Sequence, residues 1–316
     1  MKNKLALLLV IPLIACSTNS FVKSKVFCFD TMIEIKLYDG KQSDADELDK
    51  IFSLYGKLSD NYSSSDMTNV YSINQTNEKI VIQQELYDML KTSFGVSNEG
   101  ADYFNPLCGS LAKKWKESLK NSQILDKNTI NDEINKINNS SVTFDDEELS
   151  IQRNGEAEID LGGIAKGYAL DKAYSYLRGH NLKNYIIDAG NSSILLGEKK
   201  TKDGLFSVGL NDVTNAYLKL KNCFVSTSSN SIQGVEVGGV TYSHIINPKT
   251  GSALTLHDAV IIVSDKGYYS DAMSTSLMYS TIDEIKESEE KYKYQTIVVE
   301  NKKVVYCSNG LEVLYR

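Results

Sequence analysis

Proline is scarce in this sequence, with 3 among 316 residues, and tryptophan occurs once. Asn, Lys, Ser and Tyr are plentiful instead, which fits the codon bias of an AT-rich genome. No proline-rich or low-complexity linker divides the chain, and no repeat period runs through it. Basic residues form no block and the formal net charge is −7, so nucleic acid is not an expected partner. Beyond the N-terminus no run approaches the roughly 18 apolar residues that a spanning helix needs. Histidine is limited to 3, which leaves His180, His244 and His257 as the imidazoles available for acid–base work. Of 5 cysteines, none stands in a CxxC or zinc-finger spacing. Cys28, Cys108, Cys223 and Cys307 read as buried small hydrophobes, with a disulfide left open outside the cytoplasm.

What is present is the balance of a folded protein: 41% hydrophobic and 24% charged residues, in a length that suits one large domain or two small ones. The first residues read as a targeting segment, with Lys2 and Lys4 before an apolar run from Leu5 to Ile14. Leu13-Ile14-Ala15-Cys16 then resembles a bacterial lipobox, in which Cys16 is lipidated and becomes the mature N-terminus; an ordinary cleaved signal or a short membrane anchor are the other readings. The expected layout is a signal peptide over 1–15, a lipidated tether over 16–24 and one domain over 25–316, held on the extracytoplasmic face of a bacterial membrane.

The chain is organised around Glu158-Ile159-Asp160-Leu161-Gly162-Gly163-Ile164-Ala165-Lys166-Gly167. Glu158 to Leu161 reads as the end of a short strand, the two glycines as a tight turn, and Ile164 onward as a helix with apolar residues at helical spacing. A helix that opens on a glycine turn points free N–H groups and the positive end of its dipole outward, a natural site for phosphate. Lys166 in the first turn is disfavoured by that dipole unless an anion is near. Asp160 stands one step before the turn, where it can meet a ribose, a base or a metal. Neither the Walker pattern nor the dinucleotide fingerprint is matched, and a plain strand–turn–helix junction uses the same residues.

Further along, Ser43 to Leu58 reads as an amphipathic helix capped by Ser43, and Val26 to Leu37 as a strand ending at the Asp39-Gly40 turn. Tyr103, Phe104 and Trp115 cluster around Pro106, as a ring-stacking surface or as core. His244 to Gly251 is a strand end with a Pro-led turn, and Tyr268 to Tyr279 a helix with Asp271 and Thr275 on one face. His180 reads as a surface residue after a helix, and His257 as a polar edge before a strand. Scattered helices among many strands indicate the α+β class, mostly antiparallel sheets with helices packed outside.

Four stretches in this order, Glu158–Leu170, Val225–Ser229, His244–Gly251 and Asp271–Thr275, resemble the ApbE family of FAD:protein FMN transferases. Val26–Lys36, Ser59–Asn74 and Tyr103–Trp115 match more weakly. The resemblance implies a magnesium-dependent reaction in which FAD is the substrate, FMN passes to a Thr or Ser hydroxyl of a partner protein, and AMP is released. It implies FAD lying in a groove between two halves of the domain. By position, Asp160, Lys166, Tyr62, Tyr103, Phe104, Asn105 and Ile246 fall on FAD contacts, His244 on the base, and Gly163, Asp271 and Thr275 on the Mg²⁺ site. Hard oxygen ligands suit Mg²⁺ and an imidazole suits deprotonation of a hydroxyl. The implied partner is an FMN-accepting protein of an extracytoplasmic electron-transfer system.

This sequence departs from the family pattern at several points. Phe29-Asp30-Thr31 stands for Met-Gly-Thr, so Phe29 replaces a methionine that packs on FAD. Asn105 and Asn247 replace aspartates, Leu107 replaces a threonine, and Gly190-Asn191 stands for Gly-Gly. An amide keeps hydrogen bonding but not charge. The alternatives to transfer are hydrolysis of FAD to FMN and AMP at the same site, and FAD binding without catalysis.

Overall fold

The computed structural model describes residues 21–210, 212–230 and 234–315. Cys16 and the expected signal segment lie outside the described residues. The chain enters its first strand, β1 (Val22–Cys28), earlier than the expected tether boundary at residue 24. β1 pairs with β2 (Thr31–Leu37) in unbroken antiparallel register. The stretch read as one strand is therefore a hairpin, closed by Phe29 and Asp30, whose φ angles are 52° and 55°. Two positive φ values in a two-residue loop are the geometry whose twist matches the flanking strands. An L-residue in that conformation is strained, which glycine avoids. Asp30→Gly is accordingly expected to stabilise the domain by roughly 1 kcal/mol in denaturant unfolding.

These strands join a central antiparallel sheet with the order β1, β2, β6 (Tyr185–Ala189), β7 (Ser193–Leu196), β10 (Cys223–Ser229), β13 (Ala259–Ser264), β14 (Gln295–Glu300), β15 (Lys303–Cys307). The inner strands are covered on both faces, which is why Ala259 to Val263 reads as an unbroken apolar run. Val260, Ile262 and Val298 face one core, while Ala259, Ile261, Ile297 and Val299 face another. The first core is closed by α1 (Gln42–Ser59), the helix that opens on the glycine turn and the helix Gly267–Ser276. The second is closed by a small sheet of β16 (Val313–Tyr315), β9 (Ala216–Leu220) and β8 (Phe206–Gly209). The central sheet thus separates a helical side from a sheet side, and the α+β expectation holds.

The helices follow their sequence signals with local adjustments. α1 starts one residue before the expected cap Ser43, because the Asp44 carboxylate accepts the Lys41 N–H at 2.9 Å. Beyond it come α2 (Val70–Asn74), α3 (Gln84–Glu99) and α4 (Gly109–Lys120). α5 (Lys127–Asn138) is capped by Asp126, which accepts the N–H groups of Asn128 and Thr129. A second small sheet, β3 (Ile80–Val81), β5 (Ser150–Asn154) and β4 (Ser141–Asp145), and the hairpin β11 (Val235–Val237) and β12 (Val240–Tyr242) complete the strands. Among the described residues no helix is long and apolar enough to cross a membrane.

Candidate functional site

The Glu158–Leu161 stretch, expected as a strand end, is extended but belongs to no sheet. Its neighbour is the turn before α4: Asp160 donates its N–H to the Pro106 carbonyl at 2.8 Å and Glu158 accepts from Gly109 at 2.9 Å. Pro106 has no N–H to continue a ladder. The side chain of buried Asn74 serves as the other edge, accepting from the Ile159 N–H at 2.7 Å and donating to the Ile159 carbonyl at 2.9 Å. Nothing in the sequence marks Asn74 for this role. So fixed, Asp160 turns its carboxylate onto the Gly162 N–H at 2.6 Å, and α6 (Ala165–Gly179) starts three residues later.

α6 crosses the Gly267–Ser276 helix at a contact between two glycines. A Cβ on Gly167 would overlap the Gly267 carbonyl, and one on Gly267 would overlap the Gly167 carbonyl. That approach lets Asp271 reach across. One of its oxygens accepts the Gly167 N–H at 2.7 Å and the other accepts the Ser193 hydroxyl at 2.6 Å. In return, Asp171 of α6 caps the partner helix, accepting from Gly267 at 3.0 Å and Tyr268 at 2.6 Å. Burial pushes the Asp171 carboxyl up to about 6; the two amides oppose that and the nearby Asp271 adds to it. Both Asp171 and Ser193 escaped the sequence reading, since a lone carboxylate on a helix and a serine opening an apolar strand are common.

Thr275 lies one turn beyond Asp271. Its Oγ1 stands 3.2 Å from where a Cβ of Gly163 would be, and the Phe104 ring is equally near. Gly163, Thr275 and Phe104 therefore meet, and a side chain at 163 would press on both neighbours. Behind them runs a seam of hydroxyls: Ser226 with Ser270 at 2.9 Å, Ser228 with Ser274 at 3.0 Å and with Thr275 at 3.4 Å. The expected metal positions Gly163, Asp271 and Thr275 thus converge beside the start of α6.

The His244–Gly251 segment forms the facing wall. Asn247 accepts the N–H groups of Lys249 and Thr250, at 2.9 and 3.1 Å, so the amide does the turn-capping work that a carboxylate would do. Asn105 likewise caps its own turn by accepting from Leu107 at 2.9 Å. Ile246 is buried. The buried Tyr279 hydroxyl ties the wall to the Asp271 helix through the carbonyls of Ile245 at 2.7 Å and Ser252 at 3.0 Å. Trp115 is core, with its indole N–H on the Gly251 carbonyl at 2.8 Å and its ring stacked on Tyr242. Lys249 lies over the Tyr103 ring, 4.3 Å from its centre.

His244 is exposed to solvent, yet protein packs closely enough around it to desolvate its ring. That desolvation, with the nearby Lys166 ammonium, lowers its pKa to about 4. Among the described residues neither His244 nor Lys166 has a hydrogen-bond partner. The other two histidines have structural roles. His180 stacks on Tyr176 at the surface. His257, expected at a polar edge, is instead buried between Glu300 at 2.9 Å and the Ser280 carbonyl at 2.8 Å, because the strand it precedes is an inner one.

Two expected contact residues stand further out. Tyr62 is 52% exposed. It joins the site through Lys113, which lies over its ring and bonds Glu158 at 2.8 Å. Phe29 sits half-buried in its turn beside Gly56 of α1, and no contact described here ties it to Asp160 or His244. Among the described residues the four cysteines are free and half-buried. Among the described residues no three His, Cys, Asp or Glu side chains group as a metal site.

A glycine turn opening a helix, a carboxylate, a seam of hydroxyls and an exposed histidine thus stand together on an antiparallel α+β scaffold. The chain belongs to the ApbE family, which it matches over residues 29–298. It is 25% identical over 217 residues to the FAD:protein FMN transferase of Treponema pallidum, covering 62% of this chain and 60% of that one. It is also 25% identical over 248 residues to the enzyme of the same name from Chlamydia pneumoniae, covering 75% and 76%. The match thus spans less than two thirds of the Treponema relative. Among solved structures, the ApbE protein of Thermotoga maritima superposes with a TM-score of 0.79 at 22% identity, covering 92% of this chain and 97% of that one. The flavin transferase ApbE of Vibrio cholerae gives 0.71 at 17%, covering 94% and 97%. These likenesses extend the shared fold over nearly the whole chain.

Proposed function

We propose that this protein transfers FMN from FAD to a Thr or Ser hydroxyl of an acceptor protein and releases AMP. The observation that carries this reading is the convergence of Gly163, Asp271 and Thr275 at the start of α6, with Lys166 beside His244, in a chain of the ApbE family. The pyrophosphate of FAD would lie beside the start of α6, where the Lys166 ammonium favours an anion, since most N–H groups there are already taken: Gly162 by Asp160, Ala165 by the Leu161 carbonyl and Gly167 by Asp271. Tyr103, Phe104, Asn105, Ile246 and Tyr62 would line the groove for the rest of the molecule.

The donor set fits Mg²⁺. All three groups are hard oxygens, and each carboxylate oxygen of Asp271 keeps a lone pair after accepting its hydrogen bond. The ion would be held by the Asp271 carboxylate, the Thr275 hydroxyl and the Gly163 carbonyl, and when bound it supplies neutralisation of pyrophosphate charge. In the transfer, the acceptor oxygen forms a bond to the FMN phosphorus as the bond to the AMP phosphate breaks. AMP leaves with that electron pair, and the hydroxyl proton passes to His244. A pKa of about 4 keeps His244 unprotonated at neutral pH and free to accept it.

The sign of the pH dependence follows. His244 gains a proton as pH falls through its pKa, so kcat/KM should decline on an acid limb near pH 4, well below the ordinary imidazole range. Lys166→Met removes a positive neighbour and should move that limb upward. A rate profile from pH 3 to 9 measures both; a limb near 6.5 in each would show that His244 is not held below the ordinary imidazole range, and the same limb in the residual activity of His244→Ala would remove His244 from the proposed role.

The function itself is tested by mass spectrometry. The chain is incubated with FAD, Mg²⁺ and an FMN-accepting protein, with His244→Ala alongside. A gain equal to FMN on the acceptor, absent with the variant, is the expected result. AMP formed without an acceptor would make the protein an FAD pyrophosphatase, and FAD recovered intact would make it a binding protein. The same reading places the chain on the extracytoplasmic membrane face, lipidated at Cys16, serving an acceptor of an electron-transfer system there.

A further inference from the structure

The sheet side of the molecule, opposite the candidate site, carries a depression of about 620 Å³ with Lys199, Lys202 and Lys219 on its walls. None of the three lysines has a carboxylate within ion-pair distance among the described residues, although Lys219 lies near enough to Asp203 to help hold its carboxyl low and the chain as a whole carries −7. The one carboxylate in the depression, Asp203, is folded into its own loop, accepting from the Thr201 hydroxyl at 2.7 Å and the Leu205 N–H at 3.2 Å. Lys200 in the same loop bonds the Tyr38 carbonyl. The Tyr38 ring meets Phe206 of β8 on one side and Phe21, the first described residue, on the other, with centroids 6.2 and 5.5 Å apart. Phe21 is itself 47% exposed. The chain therefore enters the fold beside the lysine-walled depression.

We propose that this face rests on the membrane, with Lys199, Lys202 and Lys219 against the headgroups of anionic phospholipid. The inference rests on lipidation at Cys16. Four residues lie between Cys16 and Phe21, five chain steps with a reach of at most about 18 Å. That distance holds the entry point, and the depression next to it, close to the bilayer surface. Lysines outnumbering the carboxylate beside them are drawn to an anionic surface within a Debye length, while the acidic remainder of the protein is repelled. Seated so, the molecule turns the helical side, with Asp271 and His244, away from the lipid and toward an acceptor protein.

The test uses the mature lipidated protein on vesicles of phosphatidylcholine, with or without phosphatidylglycerol. Flotation is scored first. Each sample is then labelled with a membrane-impermeant amine reagent and read by peptide mass spectrometry. Lys199, Lys202 and Lys219 are expected to react about fivefold or more slowly on the anionic vesicles, with the difference lost in about 1 M salt. Lys50 and Lys286, on the helical side, should react alike on both. The K199E/K202E/K219E variant should float equally and show no lipid preference at neighbouring Lys200 and Lys221. Protein that floats but labels alike on both vesicles overturns the orientation and leaves the anchor standing. Protein that floats on neither overturns the anchor and the orientation with it.

Discussion

Asp271→Asn is expected to leave the protein folded to within about 1 kcal/mol while lowering FMN transfer by about a thousandfold. The asparagine oxygen can still accept the Gly167 N–H, now 2.7 Å from the carboxylate. Its NH₂ then faces Ser193, whose hydroxyl can turn from donor to acceptor. The packing role thus survives and the negative charge does not. Loss of a charged oxygen ligand removes several kcal/mol of stabilisation from a metal-assisted phosphoryl transfer, which is the size of the expected rate effect. Asp271→Ala should fail on both counts, because it strands a buried N–H and a buried hydroxyl at about 1–3 kcal/mol each. The check pairs denaturant unfolding with single-turnover transfer. An Asn variant that is as active as the parent would remove Asp271 from the Mg²⁺ site and leave it a purely structural residue.

Gly167→Ala should have the largest effect on stability, a loss of about 3 kcal/mol or more. The added methyl would overlap a backbone carbonyl of the opposing helix, and backbone cannot rotate aside as a side chain can. The helices must part, and the Gly167 N–H then leaves the Asp271 carboxylate. Transfer should fall with stability for that reason. Gly179→Ala, at the far end of the same helix, meets nothing within 4 Å and is the control. It should raise stability by up to about 1 kcal/mol, as alanine does for glycine in an open helix position. Equal thermal midpoints for the two variants would mean that the helices have room to spare.

Why the helix start was legible in the sequence and its setting was not follows from the range of each interaction. Two glycines before an apolar helical pattern are a local signal, and α6 begins within a residue of the expected place. Asp271 and Thr275 share a helix face by spacing alone, and the structure keeps them together. The strand expected at Glu158–Leu161 failed because its partners are a proline turn and the Asn74 side chain, 85 residues away from Ile159. The hairpin at Phe29 and Asp30 was missed because Asp30 is the lone turn former there and stands beside a bulky Phe29, so a tertiary demand for two positive φ values left little local mark. His257 was misplaced because burial depends on which strands lie at the edge of the sheet, and sheet order is invisible to a local pattern. The roles of Asn105 and Asn247 become clear only in space: both act as acceptors within turns, where a carboxylate and an amide oxygen are interchangeable.

The grip of Ser193 and Gly167 on Asp271 bears on the thermodynamics of ligand entry. A free aspartate samples several rotamers, and immobilising a side chain on binding costs about 0.5–1.5 kcal/mol. Here both oxygens are already clamped by groups from a strand and a second helix, so that loss is incurred once, when the chain folds. A cation or a phosphate arriving at this groove would meet a rigid electrostatic template. Its affinity would then be set by exchange of water for fixed oxygens, with little contribution from reordering the protein.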